Sequence, residues 1–152
     1  MACPFFMPME KLEGGAWMHP ARLPLGAGWS GHCAAPGHEG EVPAQDVLHD
    51  SCNLGYAAKC SWLPQQRIWD AVRFAVTVEG NAASQALGAN GGATTRSIRL
   101  RYVCERDHRP AEHGMLEFDV TQATWPIRHN DDRVQKMAEC FLESYLTKRK
   151  QA

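Results

Sequence analysis

Net charge is almost absent from this chain: 16 Lys and Arg stand against 17 Asp and Glu, a formal balance of −1. Such a balance gives no strong pull towards nucleic acid or an anionic membrane surface. The one basic run, Lys148 to Lys150, lies near the C-terminus, where cations suit the end of a helix. Long hydrophobic runs are missing too. Nothing approaches the roughly 18 apolar residues of a membrane span. The apolar start MACPFFMPMEKLEGG has no basic leading region and is broken by Pro4, Pro8 and Glu10, which argues against a signal peptide. These absences place the protein in the cytoplasm as an expectation. Two catalytic signatures are also lacking. GANGG precedes a strand pattern rather than a helix, so it is no phosphate-binding loop, and there is no Ser nucleophile elbow. No internal repeat is visible.

What the chain does have is cysteine. Six occur in 152 residues, and a reducing compartment gives them no default role as disulfides. Their setting divides the sequence. Residues 1–66 hold seven of nine Pro, eight of 13 Gly, four of six Cys and four of seven His. Pro and Gly at that density prevent long helices and strands. Yet Phe5, Phe6, Trp17, Trp29 and Trp62 are too many aromatics for a disordered tail. With no visible core of its own, the segment needs a cross-link to stay ordered. One short helix is expected in PAQDVLHDSC, with Pro43 in its first turn, Cys52 at its end and Gly55 as a left-handed exit.

Residues 67–152 carry regular patterns. Val72, Phe74, Val76 and Val78 alternate with polar or small residues. Ile98, Leu100, Tyr102 and Cys104 do the same, as do Leu116, Phe118 and Val120. Period two predicts three half-buried strands. RDHRPAEHG is expected as the hairpin-like loop joining the second and third, and Glu79–Arg96 as a long Gly/Ala/Asn/Ser connection between the first and second. Val134, Met137, Ala138, Phe141, Leu142, Tyr145 and Leu146 recur at helical spacing, with Asn130 to Asp132 as the cap. The expected fold class is therefore α+β: a three-stranded antiparallel sheet packed on a C-terminal helix, preceded by a loop-rich Pro/Gly/Cys segment. The two parts, 1–66 and 67–152, are read as one compact unit.

The cysteines separate on the same patterns. Cys104 shares a strand face with Ile98 and Leu100, and Cys140 adjoins the helix stripe, so both read as core thiols. Cys3, Cys33, Cys52 and Cys60 have no such periodic explanation. Their spacing, C-x29-C-x18-C-x7-C, contains no C-x2-C and matches no zinc-finger pattern. Four thiolates are nonetheless the set that closes a structural zinc site or an iron–sulfur cluster. Zinc holds four sulfurs about 2.3 Å from one point, which paired cysteines on one turn supply easily. A cubane accepts ligands from separated segments. The expectation is a [4Fe–4S] cluster on Cys3, Cys33, Cys52 and Cys60, with zinc as the alternative and disulfides or unconnected thiols behind both. His32, His38 and His49 lie near enough in sequence to stand in for a ligand, but lone loop histidines more often face water.

Function follows as metal-cluster binding in an electron-transfer, sensing or structural role. The rival is an interaction module whose exposed aromatics and final helix dock a protein partner or larger complex. Catalysis is not expected, because four thiolates leave no open coordination position. A Cys–His nucleophile needs an oriented base, and nothing marks His32, His108, His113 or His129 as one. Asp107, His108, Glu112 and His113 concentrate on the expected hairpin loop, where a solvated tip explains them as well as a second site does.

Overall fold

The alternating segments become the long strands of one antiparallel sheet. In the computed structural model, which describes residues 1–14, 17, 23–56, 60–82 and 95–152, β3 (Ala71–Ala82), β4 (Thr95–Arg106), β5 (Arg109–Asp119) and β6 (Thr124–Ile127) lie side by side in that order. The α+β class is as expected, but the sheet has four strands rather than three. The extra strand β6 is four residues long and contains Pro126. Only an edge strand accommodates a Pro at little cost, and so short a run shows no periodicity to read. Asp119 prepares it by accepting the N–H groups of Thr121 and Gln122, and Ala123 completes the turn at φ 54°.

The β4–β5 connection is also tighter than expected. Only Asp107 and His108 lie between the strands, both at positive φ (51° and 59°), as a two-residue turn matched to strand twist requires. Arg109 to Gly114 belong to β5. The β3–β4 strands extend to an Ala82–Thr95 pair, so the expected loop is shorter than Glu79–Arg96, and its remainder, 83–94, lies outside the described residues.

The Pro/Gly-rich half forms a second sheet that patterning did not announce. β1 (Phe6–Lys11) pairs antiparallel with β2 (Trp29–Cys33), and a bulge falls between Pro8 and Glu10. Both strands of a two-stranded ribbon are edges, so Pro8 is tolerated there beside its bulge. Gly31 permits the close approach: a Cβ there would lie 2.1 Å from the Met7 carbonyl oxygen. A short helix α1 (Gln45–Val47) widens at once into a π-helical turn, Leu48–Asn53. Gly55 ends it at φ 69°, where any side chain would strike the Met1 carbonyl. The expected left-handed exit is therefore present, though the helix itself is shorter and wider than an α-helix.

Helix α2 (Asp132–Gln151) starts at Asp131, whose carboxylate accepts the Arg133 N–H at 2.9 Å. Its two apolar flanks serve two cores. Ala138 and Leu142 pack on Ile98, Leu100 and Leu116 of the sheet. Val134, Met137 and Cys140 pack with Phe6, Leu25, Trp29, Leu48 and Cys52 from the first half and Trp69, Val72 and Cys104 from the second. The Cys-rich segment therefore shares a core with the sheet and the helix rather than building one of its own. Phe6 and Trp29, two of the aromatics that argued against a disordered tail, are buried in that core. No helix among the described residues is long and apolar enough to cross a membrane.

Candidate functional site

Each of the four unexplained cysteines is held by backbone contacts of its own. Ala2 exchanges hydrogen bonds with Val72 at the start of β3 (2.8 and 2.9 Å), which fixes the chain just before Cys3. The Cys3 N–H then donates to the Cys52 carbonyl at 3.1 Å, and the Phe6 N–H closes a turn onto the Cys3 carbonyl at 3.0 Å. Pro4 and Phe5 form the corner of that turn. Cys33 ends β2, and its N–H and C=O are both taken by the returning chain, through the Glu41 carbonyl and the Gly40 N–H (2.8 Å each). Cys52 lies in the π-helical turn, and such wide turns recur at functional sites. Cys60 opens a turn closed by the Leu63 N–H at 3.2 Å.

These four anchors bring all four cysteines to the wall of one small cavity, of about 20 Å³. The remaining wall is almost wholly apolar and includes Phe5, Phe6, Val47, Trp62 and Leu63. None of the six cysteines is in a disulfide. Among the described residues, no three His, Cys, Asp and Glu side chains are gathered tightly enough to hold one metal ion as they stand. The four cysteines instead line one small shared space.

Burial governs their chemistry. It pushes the Cys3 thiol up to about 11, against N–H groups of Phe5 and Phe6 that favour the thiolate. Burial likewise raises Cys33, opposed by the N–H groups of Ala35 and Ala34, the former 3.3 Å from the sulfur. Cys52 is raised by burial and then by the other three thiols. An entering cation must therefore displace protons, and at Cys3 and Cys33 it finds backbone donors already aimed at the sulfur.

The other candidates are not gathered there. No histidine lines the cavity. His38 stacks on Trp62 with ring centres 4.5 Å apart, and it pairs with Glu41 at 3.3 Å. His49 stacks on Trp17 and pairs with Asp50. His32 sits in the ribbon opposite Met7, and His19 lies outside the described residues. The four polar residues expected together on one loop are spread out. Asp107 and His108 form the tip, with His108 stacked on Tyr56. Glu112 and His113 lie on β5 and so face opposite sides of the sheet. Glu112 accepts from Tyr102 and faces His129 Nε2, each at 3.2 Å, while His129 Nδ1 accepts the Asp131 N–H at 2.9 Å. Both nitrogens of this buried histidine are occupied, so it serves to tie the start of α2 to the sheet and is not a free base. Cys104 and Cys140 are buried in the core, each thiol pushed up to about 12 by burial.

One residue of the site gave no sign in the sequence. Asn53, 1% exposed, accepts the Trp29 N–H and donates to the Trp29 and Leu48 carbonyls, each at 2.9 Å. It joins the turn that carries Cys52 to the strand that carries Cys33. Only its position beside Cys52 could have drawn notice. Comparison with protein-family models, curated proteins and solved structures finds no match to this chain.

Proposed function

We propose that Cys3, Cys33, Cys52 and Cys60 hold a metal centre, an iron–sulfur cluster of the [4Fe–4S] type in preference to a single zinc ion. The observation that carries this reading is the shared cavity: four cysteines from four separately anchored stretches of chain line one apolar space. The origin of the ligands favours the larger group: a zinc ion draws its sulfurs to about 2.3 Å from one point, which paired cysteines on one turn supply easily, whereas these four come from separately anchored stretches of chain. Backbone N–H groups directed at cysteine sulfur stabilise thiolate, and such bonds are among the devices that set a cluster's potential. An apolar wall excludes water from the same group. When bound, a cluster supplies one-electron chemistry; the chain's own residues hold it, shield it and bias its charge. A cytoplasmic location accords with this reading, since a reducing compartment keeps the thiols unpaired. The role is electron transfer, sensing or support of the fold.

The test is anaerobic purification with iron, sulfide and zinc analysis. The expected product is brown and carries iron and acid-labile sulfide in equal amounts, both lost when Cys33 and Cys60 are replaced by Ser. Stoichiometric zinc without iron would make the centre structural. A protein that remains free of metal after anaerobic reconstitution overturns the reading and leaves the interaction module in its place.

A further inference from the structure

We propose that the stack of His38 on Trp62 is a clasp on the cysteine cavity, and that the turn of residues 60–63 is the wall that swings aside to admit what the four thiols bind. The cavity itself calls for a moving wall. At about 20 Å³ it has room for about one water molecule. Anything larger enters only when part of the lining gives way.

The other walls are tied down by backbone. Cys3 is fixed through the Ala2–Val72 bonds and its own N–H on the Cys52 carbonyl, and the Cys52 turn is joined to β2 by Asn53. Cys33 is closed into its turn by the Glu41 carbonyl and the Gly40 N–H, and next to it the Ala34 N–H donates to the Phe5 carbonyl at 2.7 Å. The 60–63 turn differs. Among the described residues its one backbone hydrogen bond runs from the Leu63 N–H to the Cys60 carbonyl, which closes the turn on itself and ties it to nothing else. The chain is caught again only beyond it, where the Pro64 carbonyl accepts from Arg67 at 2.9 Å. Side chains hold the turn in place. Trp62 and Leu63 line the cavity beside Cys60. His38 meets the Trp62 ring from the neighbouring turn without lining the cavity itself, the two rings 12° from parallel with centres 4.5 Å apart. His38 is set within its own turn: its N–H donates to the Ala35 carbonyl at 2.9 Å, and Nδ1 faces the Glu41 carboxylate at 3.3 Å. The stack therefore joins the one wall without a backbone tether to a turn that is tethered twice to Cys33. A single stacked pair is weak enough to open and close locally while the fold stays intact.

The purpose of the clasp, to govern loading and loss of the centre, rests on the reading of the cavity as a metal site; the clasp itself does not. Two experiments separate them. In the first, the reduced, metal-free, full-length protein is treated with N-ethylmaleimide, and labelling of each cysteine is timed by mass spectrometry. Buried thiols react through local opening. In the unaltered protein Cys3 and Cys52 should react well before Cys104 and Cys140, although all four are buried. His38→Ala removes the stack and should speed labelling of Cys3 and Cys52 by about three- to tenfold, with Cys104 and Cys140 unchanged. His38→Phe keeps a flat ring and should restore the slow rate. Equal rates at all four cysteines in the unaltered protein, no effect of His38→Ala, or acceleration of Cys104 and Cys140 in step would overturn the proposal. In the second experiment the anaerobically loaded protein is exposed to excess EDTA and metal release is followed. His38→Ala should hasten release by a similar factor, and His38→Phe should not. Release at one rate from all three proteins overturns the clasp as a control on the centre. A protein that takes up no metal strikes the metal reading, while the labelling still decides the clasp.

Discussion

Replacing Asn53 by Ala tests the frame on which the cavity is built. The side chain makes three buried hydrogen bonds and bridges Trp29 in β2 to Leu48 in the π-helical turn. Trp29 is itself 2% exposed, so water has no easy access to the groups left behind. A typical buried hydrogen bond contributes about 1 kcal/mol, and an orphaned buried donor costs about 1–3 kcal/mol. The Trp29 N–H becomes such an orphan; the two carbonyls lose one acceptor bond each. The summed loss is about 3–5 kcal/mol, a large share of the 5–15 kcal/mol typical of a whole domain. With a urea slope of about 2 kcal/mol/M, the unfolding midpoint should fall by about 2 M. Equilibrium urea unfolding followed by Trp fluorescence measures it. Asn53→Asp should be as damaging, because it keeps the acceptor for Trp29 and turns a charge towards two carbonyls. A loss below about 1 kcal/mol in Asn53→Ala would refute the reasoning, since it would mean that Trp29 and Leu48 find other partners without cost.

Four further outcomes are expected. Gly31→Ala places a methyl group against the Met7 carbonyl and the Phe6 ring, so the β1–β2 ribbon must part; thermal melting should fall clearly, and an unchanged melt would contradict the ribbon register. Asp70 titrates below its ordinary range: burial opposes ionisation, but the Asp107 N–H and Arg67 outweigh it. A carboxyl with a depressed folded pKa stabilises above its unfolded value near 4 and loses that contribution as pH falls through the folded value, so acid unfolding of Asp70→Asn should show a shallower limb, measured by circular dichroism against pH. Cutting residues 83–94 to a short turn should change stability by about 1 kcal/mol or less, because Ala82 and Thr95 are already paired and closure entropy varies slowly with length; a larger loss in urea unfolding would reveal docking of that segment. In the metal-loaded protein, Cys52→Ser should speed hydrogen exchange around the cavity rim, residues 33–41 and 60–63, and spare β3 to β5; unchanged exchange at the rim counts against a metal role.

The sheet and the last helix were legible because each is an amphipathic element of sufficient length. Leu100 and Leu116 repeat at two, Val134, Met137 and Ala138 at three and four, and burial follows those spacings. The four cysteines were legible by exclusion, since neither period explains them. What escaped notice depends on contacts between distant positions. β1 and β2 are short, broken by Pro8 and Gly31, and specified by each other and by the helix that covers them. The Asp107–His108 turn contains no Gly, so six residues of β5 looked like loop. The polar residues of that stretch were read as a cluster from adjacency, although strand geometry sends Glu112 and His113 to opposite faces. Asn53 was invisible because an Asn that mimics backbone partners has no sequence pattern beyond its own letter.

The shared core changes what a metal centre would contribute here. A segment without a core depends on its ligands for order, as small zinc modules do. This segment instead buries Phe6, Leu25, Trp29 and Leu48 against α2 and the sheet. Fully burying side chains of that kind contributes roughly 1.5–3 kcal/mol each, and the anchors at Ala2–Val72 and Asn53–Trp29 add hydrogen bonds that need no metal. The ribbon and the π-helical turn are therefore held by the fold, which presents Cys3 and Cys52 from buried positions. Cys33 and Cys60 are less buried and sit where short turns begin, Ala35 to Glu41 and Cys60 to Leu63. Two of the four cysteines belong to the frame and two to its rim. A centre bound by all four would tighten the rim against the frame, and a change in that centre would be felt first at Trp62 and the His38 that stacks on it.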